Sequence, residues 1–353
     1  MNADKIPFTF NLPYNQSSTY WLAVYPPENM PEFRQSLTDN GLAGLPGGDG
    51  ACVMKISGTW ADAWKNVKES ILQHNVKDGV QVSLLTGENQ PEPQEFSYTR
   101  KSFDILDKIA SSLWLGEAML EDRIVCYMQP VFDKRNKVFG HEAFARIETA
   151  DKPVGGGQII EASKYLNAEY MLDRYLHLKA IRTFISSDLE GFLFINLIPG
   201  FIHRPEKYLE GLSESAKFNG MPSKQIVLDF TQSETPRDMS HLKSIFDYCR
   251  SHGYLLSMDD IASVAMAKKI LETVRPDFIK LDVHLVRSAL EAQSQRTIAE
   301  LVSMAHSSGA TIIAEGVETE ETHAELLKAG VDLFQGYLFS PPVAVSRLKN
   351  IVG

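Results

Sequence analysis

From residue 142 onward, short apolar runs of this chain recur, each ending in a polar or charged residue. FLFINLIPG ends on Asn196, IVLDFTQS on Asp229, LLSMDDIAS on Asp259 and Asp260, and FIKLD on Lys280. IIAEGVE ends on Glu315 and Glu318, LFQGYLF on Gln335, and VFGHEAFAR puts Glu142 in the same kind of position. Between the runs lie segments with apolar residues at helical spacing. The pattern predicts strands at 192–197, 226–230 and 254–258, with further strands at FIKLD, TIIAEG and DLFQGY. It predicts helices near 158–165, 168–186, 204–218, 238–252, 262–274, 288–308 and 320–329, and a short C-terminal helix. RIVCYMQPVF and VFGHEAFARI predict a β pair across the KRNK turn. Repeated strand–helix alternation over 122–353 predicts an α/β fold with a parallel barrel. An open doubly wound sheet is the alternative, but no GxGxxG turn follows any strand to support it.

Upstream the pattern differs. WLAVYP, ACVMKIS and GVQVSLLTG predict strands, and TWADAWKNVKESILQHN predicts a helix, so residues 1–100 form a small α+β domain. GENQPEPQEFSY at 87–98 is polar, carries Pro91 and Pro93, and reads as a linker or surface loop. A helix over 101–121 follows, with Phe103, Leu106, Ile109, Leu113 and Leu115 on one face and Ser102 as its cap. It leads into a second domain at 122–353.

Composition narrows the function. With 44% hydrophobic residues, the chain can bury one large core and a small one. A formal charge of −10 without a basic run argues against a nucleic-acid polymer as partner, because phosphate neutralisation needs clustered Lys and Arg. Three scattered cysteines, Cys52, Cys126 and Cys249, make neither a CxxC zinc pair nor a disulfide framework. The N-terminus lacks a signal-peptide pattern, and no apolar run reaches the roughly 18 residues of a membrane span. A cytoplasmic protein is expected.

In a βα barrel all strand C-termini face one rim, so the polar run-ends converge. Glu, Asp and Asn are hard oxygen donors suited to Mg²⁺ or Mn²⁺. Two such ions about 4 Å apart would clamp a phosphodiester and activate water, with Lys280 orienting that water or stabilising developing charge. Arg146, four residues after Glu142, is a candidate phosphate contact. Taken singly, a carboxylate at a strand end is usually a helix cap or solvated, Asn196 a turn residue, and Lys280 an ion-pair partner. It is the ordered series that points to chemistry.

The motifs HEAFAR, FINLIPG, VLDFTQSE, SMDD, IKLD, AEGVETEE and FQGYLFSPP, in that order over residues 124–343, resemble the EAL domain of bacterial cyclic di-GMP phosphodiesterases. The resemblance implies a modified TIM (β/α)8 barrel that binds cyclic di-GMP at its rim. There, one or two Mg²⁺ or Mn²⁺ ions activate water for ring opening to linear pGpG. It implies metal ligands at Glu142, Asn196, Asp229, Asp259, Asp260 and Glu315, and catalytic roles for Lys280, Glu315 and Gln335. It further implies ligand contacts from Arg146, Glu142, Asp282, Glu318, Gln335 and Tyr337, and a possible homodimer. Upstream, LPGGDGACVMKI bears a faint similarity to the GGDEF hairpin of diguanylate cyclases; the plainer reading is a glycine-rich turn.

Three positions depart from the EAL pattern. Asp229 stands where the family has glutamate, an arm shorter by about 1.5 Å. Gln232 replaces the glutamate that holds the loop after the paired aspartates, and loses charge-assisted bonding. That loop, glycine- and serine-rich in the family, here reads Ile261-Ala262-Ser263-Val264-Ala265-Met266-Ala267. These residues predict that the next helix starts about a turn early, capped by Asp260. The expectation is a protein that binds cyclic di-GMP, a regulatory partner protein, or both, with weak or no hydrolysis. An active phosphodiesterase is the alternative.

Overall fold

The structure, a computed structural model, describes residues 19–28, 30–45, 50–57, 60–86, 89–98, 100–149, 152–198, 202, 204–231 and 239–352. Gln232 and residues 46–49 of the GGDG segment lie outside them. The chain forms two compact units: residues 1–123 with 157–169, and residues 124–156 with 170–353.

The first unit runs β1 (Thr19–Tyr25), α1 (Pro31–Asp39), β2 (Ala43–Gly44), β3 (Cys52–Ser57), α2 (Trp60–Gln73), β4 (Gln81–Thr86), α3 (Pro93–Tyr98), β5 (Lys101–Ser102), α4 (Phe103–Ser112) and α5 (Trp114–Leu120). Its sheet has the order β2-β3-β1-β4-β5, with β1 antiparallel to both β3 and β4. The β-α-β-β-α-β succession with β1 between β3 and β4 is the split-βαβ, ferredoxin-like arrangement. β1 is central and buried on both faces: Leu22, Ala23 and Val24 are inaccessible. The glycine-rich segment connects β2 to β3, where Gly44 pairs with Cys52 and Gly50 adopts φ +73°.

Two expectations change here. The polar stretch expected as linker or loop contains α3. Pro93 begins that helix, the Glu95 carboxylate accepts from the Glu92 amide at 2.7 Å, and Phe96 is fully buried. A capped turn with one apolar anchor outweighs its polar composition. The single helix over 101–121 is two, broken at Leu113; Ser102 caps the first, accepting from the Ile105 amide.

The second unit comprises β6 (Ile124–Asp133), β7 (Val138–Ile147), α7 (Glu169–Ser186), β8 (Phe192–Leu197), α8 (Pro205–Phe218), β9 (Ile226–Thr231), α9 (Met239–Ser251), β10 (Leu255–Ile261), α10 (Val264–Thr273), β11 (Phe278–Leu281), α11 (Val283–Arg287), α12 (Ala292–Ser308), β12 (Thr311–Ala314), α13 (Glu320–Ala329), β13 (Leu333–Phe334), β14 (Val343–Ala344) and α14 (Val345–Val352). The intervening α6 (Gly156–Tyr165) lies almost wholly in the first unit, where the Lys108 ammonium meets the Tyr165 hydroxyl at 2.6 Å. Strands β6 to β13 close into an eight-stranded barrel through a β13–β6 pairing. β6 runs antiparallel to both neighbours, and the rest are parallel. The β6–β7 turn forms because Asp133 accepts from the Arg135 and Lys137 amides (2.7 and 2.9 Å) while Asn136 takes φ +57°.

Strand periodicity places the polar series. Val131, Phe194, Val227, Phe278, Ile313 and Leu333 point inward and form one apolar cluster. Two residues on, at the next inward position, stand Asn196, Asp229, Lys280, Glu315 and Gln335; on antiparallel β6, Gln129 precedes Val131 by two. A hydrophobic plug thus floors a polar layer at the barrel mouth.

Candidate ligand and metal site

The polar layer centres on Lys280, which is 1% exposed. Its ammonium lies 2.6 Å from Asp229, 3.1 Å from Glu142 and 3.9 Å from Asp259, and is in contact with Glu315. Asn196 donates to Glu142 at 2.8 Å. Gln335 donates to Glu142 at 2.9 Å and to Gln129 at 3.2 Å, and Gln129 donates to the Ser340 carbonyl. Above this layer opens a cleft of about 330 Å³, lined among others by Glu142, Asn196, Asp259, Glu315, Gln335 and Tyr337.

The loops that shape the cleft lock together. The Val317 amide donates to the Gln335 carbonyl and the Leu338 amide to the Val317 carbonyl, both at 3.0 Å. At Gly336 a Cβ would stand 2.1 Å from the Val317 carbonyl oxygen, so only glycine permits the approach. Gly316 turns at φ +66°. The AEGVE and QGYL segments therefore act as one clamped pair of turns.

The paired aspartates sit on a β-bulge. Met258 pairs with Ile279 but Ile261 with Leu281, so one extra residue is accommodated, and Asp260 takes φ +61°. Bulges re-aim side chains. Asp259 lines the cleft, its Oδ1 accepting from the Asp260 amide at 2.7 Å, while Asp260 does not line it. The expected early helix capped by Asp260 is not formed. β10 continues through Ile261, which is fully buried, and α10 starts at Val264 with Ser263 accepting from the Met266 amide. Burying Ile261 in the sheet outweighs the helix propensity of the segment.

Other expected contacts are placed as follows. Asp282 caps α11, accepting from the His284 and Leu285 amides. Arg146 donates to the neighbouring Ala145 carbonyl and is not among the cleft-lining residues. Glu318 lines the cleft and accepts from Arg287 Nη2 (2.6 Å) and Nε (3.2 Å). Tyr337 stands at the mouth, 69% exposed. Arg287, Gln129, Phe144 and Val283 also line the cleft and were not singled out from the sequence. Gln129, an amide inside an apolar strand and followed by proline, carried a signal; Arg287, in an ordinary helix end, carried none.

Crowding four carboxylates around one ammonium in a dry site has electrostatic consequences. Burial pushes the Asp229 carboxyl up to about 7, against the pull of Lys280. Burial and the neighbouring carboxylates hold Asp259 above, and Glu315 well above, their usual ranges. Burial alone would lower Lys280, but Asp229, Asp259, Glu142 and Glu315 drive it well above the ordinary lysine range.

Among the described residues, no group of three or more His, Cys, Asp or Glu is placed to hold a metal ion as it stands. The Lys280 ammonium takes the point where the carboxylates converge. The donor set itself fits a hard divalent cation. Glu142, Asn196, Asp229 and Asp259 offer oxygens, negative charge exceeds positive, and Asp229 Oδ1 is buried without a hydrogen-bond partner.

Comparison with known proteins agrees with this geometry. The chain is 32% identical over 120 residues to "Cyclic di-GMP phosphodiesterase PdeL" of Escherichia coli (strain K12), covering 34% of this chain and 33% of that protein. It spans between about a third and just over half of the length of the curated relatives it matches, among them the signaling protein YkoW of Bacillus subtilis (25% identical; 74% and 34% covered). The c-diGMP complex of the Xanthomonas citri FimX EAL domain superposes with a TM-score of 0.61 at 20% identity, covering 67% of this chain and 94% of that one, a likeness of fold. A c-di-GMP-bound standalone EAL protein from Vibrio cholerae O395 is 27% identical, with a TM-score of 0.56 over 63% and 93% of the two chains. The family model described as "EAL domain" matches residues 113–342, well over half of the sequence, and with the barrel and its mouth as described, this chain belongs to the EAL domain family.

Proposed function

We propose that this chain binds cyclic di-GMP in the cleft above Lys280 and transmits that signal with weak or no hydrolysis. The observation that carries this reading is the split of the paired aspartates. Asp259 lines the cleft while Asp260, on the bulge at φ +61°, is not among the lining residues, and Asp229 lies fully buried against Lys280. A cleft of about 330 Å³ is in the range of small-molecule sites and remains lined by Glu142, Asn196, Glu315, Glu318, Gln335 and Tyr337. On this reading the binding groups persist and the second metal position is the weaker one.

Mg²⁺ or Mn²⁺ would be held by Glu142, Asn196, Asp229 and Asp259, with Asp260 and Glu315 toward a second ion. Bound there, the ion would polarise a phosphodiester and lower the pKa of water. Gln335 orients groups beside Glu142, and Tyr337 offers an aromatic face to a purine.

The second reading, an active phosphodiesterase that opens cyclic di-GMP to pGpG, is favoured by Lys280, Glu142, Glu315 and Gln335 standing in one connected network. Calorimetry with cyclic di-GMP in Ca²⁺ or EDTA, paired with turnover in Mg²⁺ and Mn²⁺, separates the two. Tight binding without turnover is expected. Turnover of about one per second or faster establishes the second reading instead.

We further assign residues 1–100 to a regulatory or partner-binding domain, 101–121 to a linking segment and 122–353 to the EAL-like domain. The protein is read as cytoplasmic, and the possible homodimer is tested by light scattering at working concentration. Among the described residues, no helix is long and apolar enough to cross a membrane.

A further inference from the structure

Four carboxylates, Glu142, Asp229, Asp259 and Glu315, surround one ammonium. Among the described residues Lys280 is the cation paired with all four. Its contacts to Asp229 and Glu142, at 2.6 and 3.1 Å, are ordinary charge-assisted hydrogen bonds. A divalent ion such as Mg²⁺ needs the same oxygens at about 2.0–2.1 Å, so the ion and the ammonium cannot share the point of convergence. The short Asp229 arm sharpens the conflict. Oδ2 is committed to Lys280, and Oδ1 is buried with no partner. Among the described residues no triple of acidic side chains is placed to hold a metal as it stands.

We infer that Lys280 is the resident cation of the ligand-free barrel mouth, and that a divalent ion binds by displacing its ammonium into the cleft. This rests on reading Glu142, Asn196, Asp229 and Asp259 as the metal ligands. Displacement does two things. It frees both oxygens of Asp229 for the ion, and it exposes a lysine to the cleft only when metal is present. Metal affinity is therefore set by the strength of the internal ion pair as well as by the ligands.

The test uses the full chain without nucleotide, at one pH, with Mn²⁺ as probe. Free Mn²⁺ is followed by electron paramagnetic resonance for the parent and for Lys280→Met. The variant is expected to bind Mn²⁺ about tenfold or more tightly, because a competing unit charge is removed. In the parent, acetic anhydride labelling of Lys280, read by mass spectrometry, is expected to rise several-fold on saturation with Mn²⁺. This second measurement needs no variant and holds if Lys280→Met fails to fold. Unchanged or weaker Mn²⁺ binding by a folded variant overturns the inference, as does a Lys280 that stays protected at saturation. If both proteins bind Mn²⁺ equally, the ligand assignment survives and displacement fails. If neither binds, both fall.

Discussion

Lys280 Nζ lies 2.6 Å from Asp229 Oδ2, with both side chains essentially inaccessible to solvent. Such a pair cannot be halved cheaply, since removing one partner leaves the other charged in a dry site. Lys280→Ala leaves four carboxylates without their cation. Urea unfolding in EDTA should show a loss of about 3–5 kcal/mol. Arg287→Ala, which breaks the half-exposed pair with Glu318, should cost under about 1 kcal/mol. Equal losses for the two variants would contradict the buried ion-pair account.

His141, one residue before Glu142, is 2% exposed, and burial lowers its pKa to about 4. In the unfolded chain a histidine titrates near 6.5. Between these values the unfolded chain holds more protons, so stability rises with pH across the window and is lost as pH falls from about 6.5 to about 4. The full swing is on the order of 3 kcal/mol. The stability of the parent relative to His141→Leu should fall as pH drops from about 6.5 to about 4, the variant being flatter. Parallel curves would exclude His141 as the source.

Gly336→Ala drives a methyl group into the Val317 carbonyl. The cost should be about 1–3 kcal/mol, and the clamp between the AEGVE and QGYL turns should open. Hydrogen exchange at the Val317 and Leu338 amides is the direct readout, and cyclic di-GMP affinity should fall with it.

Asp260 holds φ +61° at the bulge. Glycine there should be neutral or stabilising by up to about 1 kcal/mol, whereas valine should cost at least about 1–2 kcal/mol. A destabilised Asp260→Gly measured in EDTA would mean that the carboxylate itself supports the fold.

Asp229→Glu with Gln232→Glu returns two of the three departures to the family pattern. Turnover of cyclic di-GMP in Mn²⁺ should rise about tenfold or more, roughly 1.4 kcal/mol of barrier. If the doubly changed protein stays as slow as the parent, the defect lies elsewhere, with the Asp259–Asp260 bulge first in line.

Much of the barrel was legible because its signals are local. The β8 span 192–197 and the α13 span 320–329 agree with the residues whose apolar periodicity predicted them. The convergence of Glu142, Asn196, Asp229, Lys280, Glu315 and Gln335 followed from period-two strands ending at one rim. Propensity misled at Ile261–Ser263, where sheet burial of Ile261 delayed the helix, and at 93–98, where one buried phenylalanine made a helix of a polar stretch. Arg287 was invisible because nothing nearby in sequence announces that its helix end borders the cleft.

The order of strands, the class of ligand atoms and the departures at Asp229 and in the loop were determined by the sequence alone, because they are properties of residue type and spacing. Three things were decided only by tertiary structure: that of Asp259 and Asp260 on their bulge only Asp259 lines the cleft, that Arg146 bonds the Ala145 carbonyl and stays out of the cleft lining, and that Lys280 takes the centre of four carboxylates. The bulge depends on how β10 pairs with β11, and the Lys280 centre on distances between strands far apart in the chain and on the low dielectric that closing the barrel creates around them.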